Sequence, residues 1–384
     1  MIVMKFGGTS VKDEAAISRV IGIVRGRLAE KPLVVVSAMS KVTRNLCSLG
    51  EAAAAGNEAE VSMILKELRE RHFGTAAELM QGGLLEETKS RLGEILESLS
   101  GMAAKVAGAG RLDDDMNSAI ISCGELMSSI IVAAAMNAAG LRCTWLDARK
   151  MMTTDSAWLA ARPDMDATEA KVRKAVDGSA EVFLTQGFIA ADAAGRTTVL
   201  GFEGSDYSAA IFGRCLDAAR VEIWTDVDGI RSADPRIVED TCRIERLSYA
   251  EAAEMAYMGA RVLHPLTIYP AREKNIPIHV LNSARPDGAG SVVCGDCADI
   301  PEGPKSVALM TAEDLKEVVS MAASDMDGKS RISVIGKGVA AVLDKIGKVA
   351  GEAVVSENGL SASVMVPEAD ARRIVVELHK LLFV

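Results

Sequence analysis

Neither G-x-x-x-x-G-K-[ST] nor a G-x-G-x-x-G after an apolar run occurs in this chain, and histidine appears only four times in 384 residues. Without either fingerprint, a phosphate-binding loop has to be argued from its context. Long apolar runs are also missing. The longest nearly apolar stretch, residues 126 to 141, contains Ser128, Ser129 and Asn137 and falls short of the eighteen or so residues of a spanning helix, so it reads as a buried helix. The first residues lack the extended apolar core of a secretory signal, and a cytosolic protein is expected. Lys and Arg total 43 against 53 Asp and Glu, a net charge of −10 that disfavours nucleic acid or an anionic membrane as partner, so an anion site must be local. Seven scattered cysteines, an odd number, point to reduced thiols. Cys294 and Cys297 form the one C-x-x-C, and without a second pair it reads as two loop thiols.

The length favours two domains. Residues 2 to 6 read as a buried strand, Ile17, Val20, Ile21, Val24 and Leu28 recur at helical spacing, and residues 33 to 37 form a second β-branched run. Strand, helix, strand in that order predicts a right-handed crossover and a parallel pair. Residues 57 to about 110 carry helical spacing and no strand signal, which implies an inserted helical layer. Further strands are expected at residues 142–146, 182–185, 197–200, 221–224 and 278–281, in one large sheet ending near residue 295. A stretch with Gly288, Gly290, Gly295, Pro301, Gly303 and Pro304 then marks a domain boundary. Beyond it, residues 332–382 read β-α-β-β-α, and residues 306–310 and 312–323 add a strand and a helix, so residues 305–384 fit a ferredoxin-like unit with an extra piece.

Three polar loops follow strands. In "KFGGTS" the glycines allow close approach to an anion, Thr9 or Ser10 is expected to cap the next helix, and Lys5 adds a full charge. "VLGFEGSDYSAA", residues 199–210, passes from strand through Gly201 and Gly204 to a helix opened by Ser205 or Asp206. "IWTDVDGIRSADPR", residues 223–236, ends a strand with Thr225, Asp226 and Asp228 and leaves Arg231 and Arg236 on a loop. Loops of this kind converge where open α/β sheets bind ligands. The run Asp113-Asp114-Asp115 reads as a solvated helix cap, and the 18 methionines as core filler.

Taken together, KFGGTSV, VVSAMSKVT, SCGELMS, TQGFIA, GSDYSAA, WTDVDGI with ADPR, and GARVLHP, in this order across residues 4 to 267, resemble the aspartate kinases of the amino-acid kinase superfamily. The tail resembles the family's regulatory ACT region, most clearly at "ISVIGKGVA". The resemblance implies a three-layer α/β/α amino-acid kinase fold with a mainly parallel central sheet over residues 1–298, followed by a smaller α+β ferredoxin-like ACT domain over residues 305–384, one near-complete unit plus a remnant. It also implies phosphorylation of the side-chain carboxylate of L-aspartate by ATP with Mg2+, giving 4-phospho-L-aspartate, the entry to lysine, threonine and methionine synthesis, and a homodimer or higher homo-oligomer formed through the ACT region.

An aspartate carboxylate is already ionised at neutral pH, so the nucleophile needs no general base, in keeping with the scarcity of histidine. His264 in "LHP" reads as a structural turn residue. By the resemblance, Lys5 contacts the transferring phosphate with Gly7 and Gly8, and Asp206 is the catalytic organiser. Ser205, Thr225, Asp226, Arg231, Arg236 and Arg261 fall where the family holds the nucleotide. Glu125 matches the carboxylate that receives the α-ammonium, and Ser37 and Thr43 match hydroxyls near the reacting carboxyl. Three positions depart from the pattern. Phe202 stands where the family has an Arg that clamps a substrate carboxylate, with Arg196 a candidate substitute. Arg231 replaces a Tyr, and Arg261 a Lys. The tail is short for two ACT units, which implies reduced feedback control. Two alternatives stay open: a superfamily member acting on another small carboxylate, and a non-catalytic ligand-sensing subunit.

Overall fold

Five consecutive apolar or aliphatic-stemmed residues, Ile2–Phe6, form β1, and every one of them is buried. A strand covered on both faces has no polar side to alternate with, which is the pattern of a central parallel strand. The computed structural model describes residues 1–201, 203–260, 263, 265–295, 300–311 and 328–383. They pack as two compact units, Met1–Asp226 with Leu281–Asp287, and Val227–Val280 with Gly288–Val384.

In the first unit β1 is followed by α1 (Glu14–Arg25), β2 (Pro32–Val36), α2 (Val42–Ala54), α3 (Glu58–Leu79), α4 (Gly82–Ala109) and α5 (Asp114–Ala138). Then come β3 (Cys143–Trp145), α6 (Ala148–Met151), β4 (Thr153–Thr154), α7 (Met165–Ala175), β5 (Val182–Gln186), β6 (Ile189–Asp192), β7 (Thr197–Val199), α8 (Gly204–Cys215) and β8 (Val221–Thr225). Strands β3-β5-β2-β1-β8 lie side by side, all parallel, with Lys5 opposite Val35 on one flank and Ile223 on the other. The expected helical layer is α3 and α4, packed on α2 and α5. The buried helix read at residues 126–141 begins earlier, at Asp114. By length and composition α5 is apolar enough to cross a membrane, but 89% of that window is buried inside the fold, as a core helix requires.

One expected strand belongs elsewhere. Residues 197–199 form β7 in a separate three-stranded sheet, β4-β6-β7, and not in the large sheet. The reason is local: β6 and β7 are antiparallel, closed by a tight turn in which Gly195 N–H donates to Asp192 O, and a hairpin cannot continue an all-parallel sheet without a crossover.

The second unit contains β9 (Arg246–Ser248), α9 (Tyr249–Tyr257), α10 (Pro265–Glu273), β10 (Ile278–Asn282), whose last two residues fall in the first unit, and β11 (Ser291–Cys294). After β12 (Ser306–Met310) come β13 (Lys329–Ile335), α11 (Leu343–Ala350), β14 (Val354–Val355), β15 (Ser361–Pro367) and α12 (Glu368–Phe383). Strands β12-β13-β15-β14 make an antiparallel sheet, and residues 329–383 follow the expected β-α-β-β-α order. The helix expected at residues 312–323 lies outside the described residues, as do Cys297 and His264. The core of this sheet includes Val307, Ile332, Ile374 and Leu378, and also Ala233 and Val238 from the loop after β8. Packing therefore cuts the chain at Val227, ahead of the Gly/Pro-rich stretch. The expected division into residues 1–298 and 305–384 does not coincide with this packing division.

Candidate active site

Lys5 is the one charged residue of β1, and at 9% exposure it is too buried to stay charged without a partner. Its Nζ lies 2.5 Å from Asp206 Oδ1. The contact is a close charge pair and not an aligned hydrogen bond. The sequence offers Asp206 as a cap of its helix. In the fold the cap position of α8 is Glu203, with φ 52° and no side-chain cap bond, while Asp206 sits in the first helical turn and its carboxylate faces Lys5. Ser205 precedes it, packed so tightly on the end of β5 that a Cβ on Gly187 would lie 2.7 Å from the Ser205 Cβ.

The glycine loop turns immediately after Lys5. Gly7 N–H donates to Trp224 O at 3.2 Å, and Gly8 O accepts from Ser40 N at 3.0 Å, so the loop is tied to β8 on one side and to the segment after β2 on the other. A Cβ on Gly8 would stand 2.8 Å from Ala38 O, which leaves room only for glycine. The capping expected of Thr9 or Ser10 does not occur. Residues Gly8–Val11 form a short 3-10 turn, and α1 is capped by Asp13, which accepts from Ala16 N at 2.9 Å. An asparagine or aspartate side chain three residues before the donating amide satisfies it well, and here the available one is Asp13. Ser10 instead bonds Ser283 at 2.8 Å between hydroxyls, and Ser283 N–H donates to Thr225 O. Ser283 and Gly187 were not singled out from the sequence. The signal was present in both cases, a polar or glycine residue at the end of an apolar strand.

Beside the loop, Ser37 N–H donates to Phe6 O, and the next residue, Ala38, donates its N–H to Glu125 Oε1 at 3.1 Å. Ser128 Oγ donates to Ser37 O at 2.6 Å, fastening α5 to the end of β2. This approach is close because residue 124 is glycine: a Cβ there would meet the Ala38 Cβ at 2.9 Å. Glu125 is 3% exposed and its Oε2 has no partner. Burial pushes its carboxyl up from 4.5 to about 8, with the Ala38 amide opposing. Thr43, half-buried, lies in the first turn of α2. The ends of β1, β2 and β5, the middle of α5 and the start of α8 thus bring together a buried cation, its counter-carboxylate, a glycine turn, hydroxyls and one acid with an unpartnered oxygen. Such a set can hold an anion against Lys5 and an ammonium against Glu125.

Thr225 and Asp226 close β8, the Thr225 hydroxyl 3.2 Å from Asp226 Oδ1. Arg231 and Arg236 belong to the second unit. Arg231 donates from Nε and one Nη to the Thr241 side chain and carbonyl, and Arg236 pairs with Asp234. Arg261 and Phe202 lie outside the described residues. Arg196, considered as a replacement for the missing clamp, is committed elsewhere: it pairs with Asp192 at 2.7 Å and lies over the Trp158 ring at 4.6 Å.

Residues 1–282 match the model of the Amino acid kinase family. Among sequence relatives, lysine-sensitive aspartokinase 3 of Escherichia coli strain K12 is 38% identical over 303 residues, 78% of this chain and 66% of the relative. The bifunctional aspartokinase/homoserine dehydrogenase 2 (chloroplastic) of Zea mays is 37% identical over 294 residues, 76% of this chain but 32% of the relative. The chain thus spans only 32% of the bifunctional relative and 66% of the E. coli one. Among solved structures, E. coli aspartokinase III in complex with aspartate and ADP (R-state) superposes with a TM-score of 0.87 at 28% identity, covering 100% of both chains. With a lysine-bearing first strand, a glycine turn and a parallel sheet that all fall within the matched region, the chain belongs to the amino acid kinase family.

Proposed function

We propose that the protein is an aspartate kinase, transferring the terminal phosphoryl group of ATP to the side-chain carboxylate of L-aspartate. The observation that carries the reading is the presence of two features in the first unit: Lys5 beside the glycine turn, and Glu125 with one buried oxygen unpartnered. An amino acid carrying both an ammonium and a distal carboxylate would satisfy Glu125 and bring its own acid toward Lys5. That acid is ionised at neutral pH, so what the site must supply is charge neutralisation and in-line placement. Lys5, with the amides of Gly7 and Gly8, takes the phosphate charge. Asp206 holds the Lys5 amine at the strand end, and Ser37 and Thr43 orient the reacting carboxylate. Ser205, Thr225, Asp226, Arg231, Arg236 and Arg261 are proposed to hold the nucleotide.

Magnesium fits this donor set as an ion delivered with the nucleotide. No group of three potential ligands occurs among the described residues, and Mg2+ commonly takes only one or two protein carboxylates, of which Asp206 offers one. When bound it would neutralise charge on the phosphate oxygens. Residues 1–298 would be the catalytic module and 305–384 an ACT-like regulatory one, in a cytoplasmic homodimer, which size-exclusion chromatography would check.

Phe202 in place of the clamping arginine, together with the commitment of Arg196 to Asp192, favours one second reading: a kinase for another small carboxylate bearing an ammonium. Hydroxamate trapping of acyl phosphate with ATP, Mg2+ and a panel of acidic amino acids decides. Trapped product with aspartate supports the proposal, product only with another acid supports the second reading, and no product with any acid points to a non-catalytic subunit.

A further inference from the structure

Between the end of β8 and the start of β9 the chain forms a long loop, and one residue in it, Ser232, is bonded through every polar atom it has. Its N–H donates to Cys242 O at 2.9 Å, and its carbonyl accepts from Val307 N at 2.8 Å. Its hydroxyl oxygen accepts from Cys242 N at 2.8 Å and lies 2.7 Å from His379 Nε2. His379 projects from α12, 147 residues away in sequence, is 2% exposed and stacks on Phe383 at 4.9 Å. Which of the two groups donates is set by the imidazole tautomer, and burial favours the neutral ring.

The neighbours of Ser232 explain what this bond holds in place. Arg231 is clasped by Thr241 through Nε and one Nη, so its guanidinium points from a fixed base. On the other side, Ala233 and Val238 enter the apolar core shared with Val307, Ile332 and Leu378. The loop therefore has a dry inner face on α12 and β12 and a basic residue directly beside its buried polar pin. A loop without its own secondary structure depends on such pins to keep one conformation.

We infer that His379 is a positioning residue for the loop 227–242, fixing through Ser232 the backbone from which Arg231 meets the nucleotide. The inference rests on the nucleotide role proposed for Arg231, and it gives the C-terminal helix a part in nucleotide affinity that needs no regulatory ligand.

The test uses the full chain with His379→Ala, His379→Gln, Ser232→Ala and the double variant, measuring KM for ATP and for aspartate separately and binding of a fluorescent ATP analogue by titration. His379→Ala is expected to raise KM for ATP and the analogue Kd by about fivefold, the fold-change matching one buried hydrogen bond, with KM for aspartate moved less than about twofold. His379→Gln, which keeps a polar atom at that reach, should recover most of the loss, and the double variant should lose no more than either single one. A folded His379→Ala protein with unchanged nucleotide binding overturns the inference, and so does an equal rise in both KM values, which marks a general structural defect. If His379→Ala does not fold, Ser232→Ala and His379→Gln decide by the same measurements. Should the wild-type protein phosphorylate no acid, the proposed function fails, while the titration still reports on His379.

Discussion

Replacing Glu125 with glutamine should stabilise the substrate-free protein at alkaline pH while removing its affinity for aspartate. Glu125 is buried and its carboxyl rises from 4.5 to about 8. Holding it ionised in the fold costs about 5 kcal/mol. The sign follows from the direction of the shift. Between about 4.5 and 8 the folded protein binds a proton that the unfolded chain has lost, so stability falls as pH rises through that window, and the penalty is complete above about 8. Glutamine has nearly the same shape and no charge, and its carbonyl can still accept from Ala38 N. Its buried amide group would lack a partner at a cost of about 1–3 kcal/mol, which leaves a net gain of roughly 2–4 kcal/mol at pH 8.5. At pH 5 the wild-type carboxyl is protonated and the gain should vanish. Substrate binding carries the complementary signature. At pH 7 the empty site holds mostly neutral Glu125, and an arriving ammonium must expel that proton. Aspartate affinity should then climb about tenfold per pH unit from roughly 6 to 8, with close to one proton released per ligand. Denaturant melts at pH 5 and 8.5, and calorimetric titrations of aspartate in two buffers of different ionisation enthalpy, read both effects. A Glu125→Gln protein no more stable than wild type at pH 8.5, or aspartate binding without proton release at pH 7, would refute the reasoning.

Lys5→Met should lower phosphoryl transfer by about a hundredfold or more, through loss of the charge at the strand end, and destabilise the fold by about 3–5 kcal/mol because Asp206 is left buried and unpaired. Rates from acyl-phosphate trapping and a urea melt measure the two. Gly8→Ala places a Cβ 2.8 Å from the Ala38 carbonyl oxygen and should cost about 1–3 kcal/mol with a raised KM for ATP, whereas wild-type values would show that the loop is not closely held. Arg196→Ala should leave KM for aspartate within about twofold and cost under about 1 kcal/mol, since its half-exposed guanidinium serves Asp192 and Trp158; a large rise in KM would place it in the site after all. Burial pushes the thiols of Cys123, Cys143 and Cys215 up to about 12, so at pH 8 a disulfide reagent should modify exposed Cys242 first among the described cysteines, and peptide mapping of Cys242→Ser against wild type should show these three still unlabelled.

The sequence by itself determined the elements whose signal is local. Short, mainly apolar and β-branched runs bounded by turn residues read as strands buried on both faces, so β1, β2, β5 and β8 were legible, and so was the β-α-β-β-α order of the tail. Lys5 stood out because a charge inside such a run demands a partner. The identity of the partner was not readable. Asp206 could cap its helix as easily as face another chemistry, and only the packing of α8 against β1 brought its carboxylate to 2.5 Å from the amine. Likewise, nothing in the sequence separates Glu125 from the other acids that fall in helices, yet in the middle of α5 burial pushes its carboxyl up to about 8. The placement of β7, the Asp13 cap and the tether of Arg196 each turned on competition between nearby partners. His379 and Ser232, 147 residues apart, carry no mutual signal in the chain at all. Periodicity reports which side of an element is dry. Which group meets which across that dry interior is fixed by long-range packing, and for this protein the chemistry depends on those meetings.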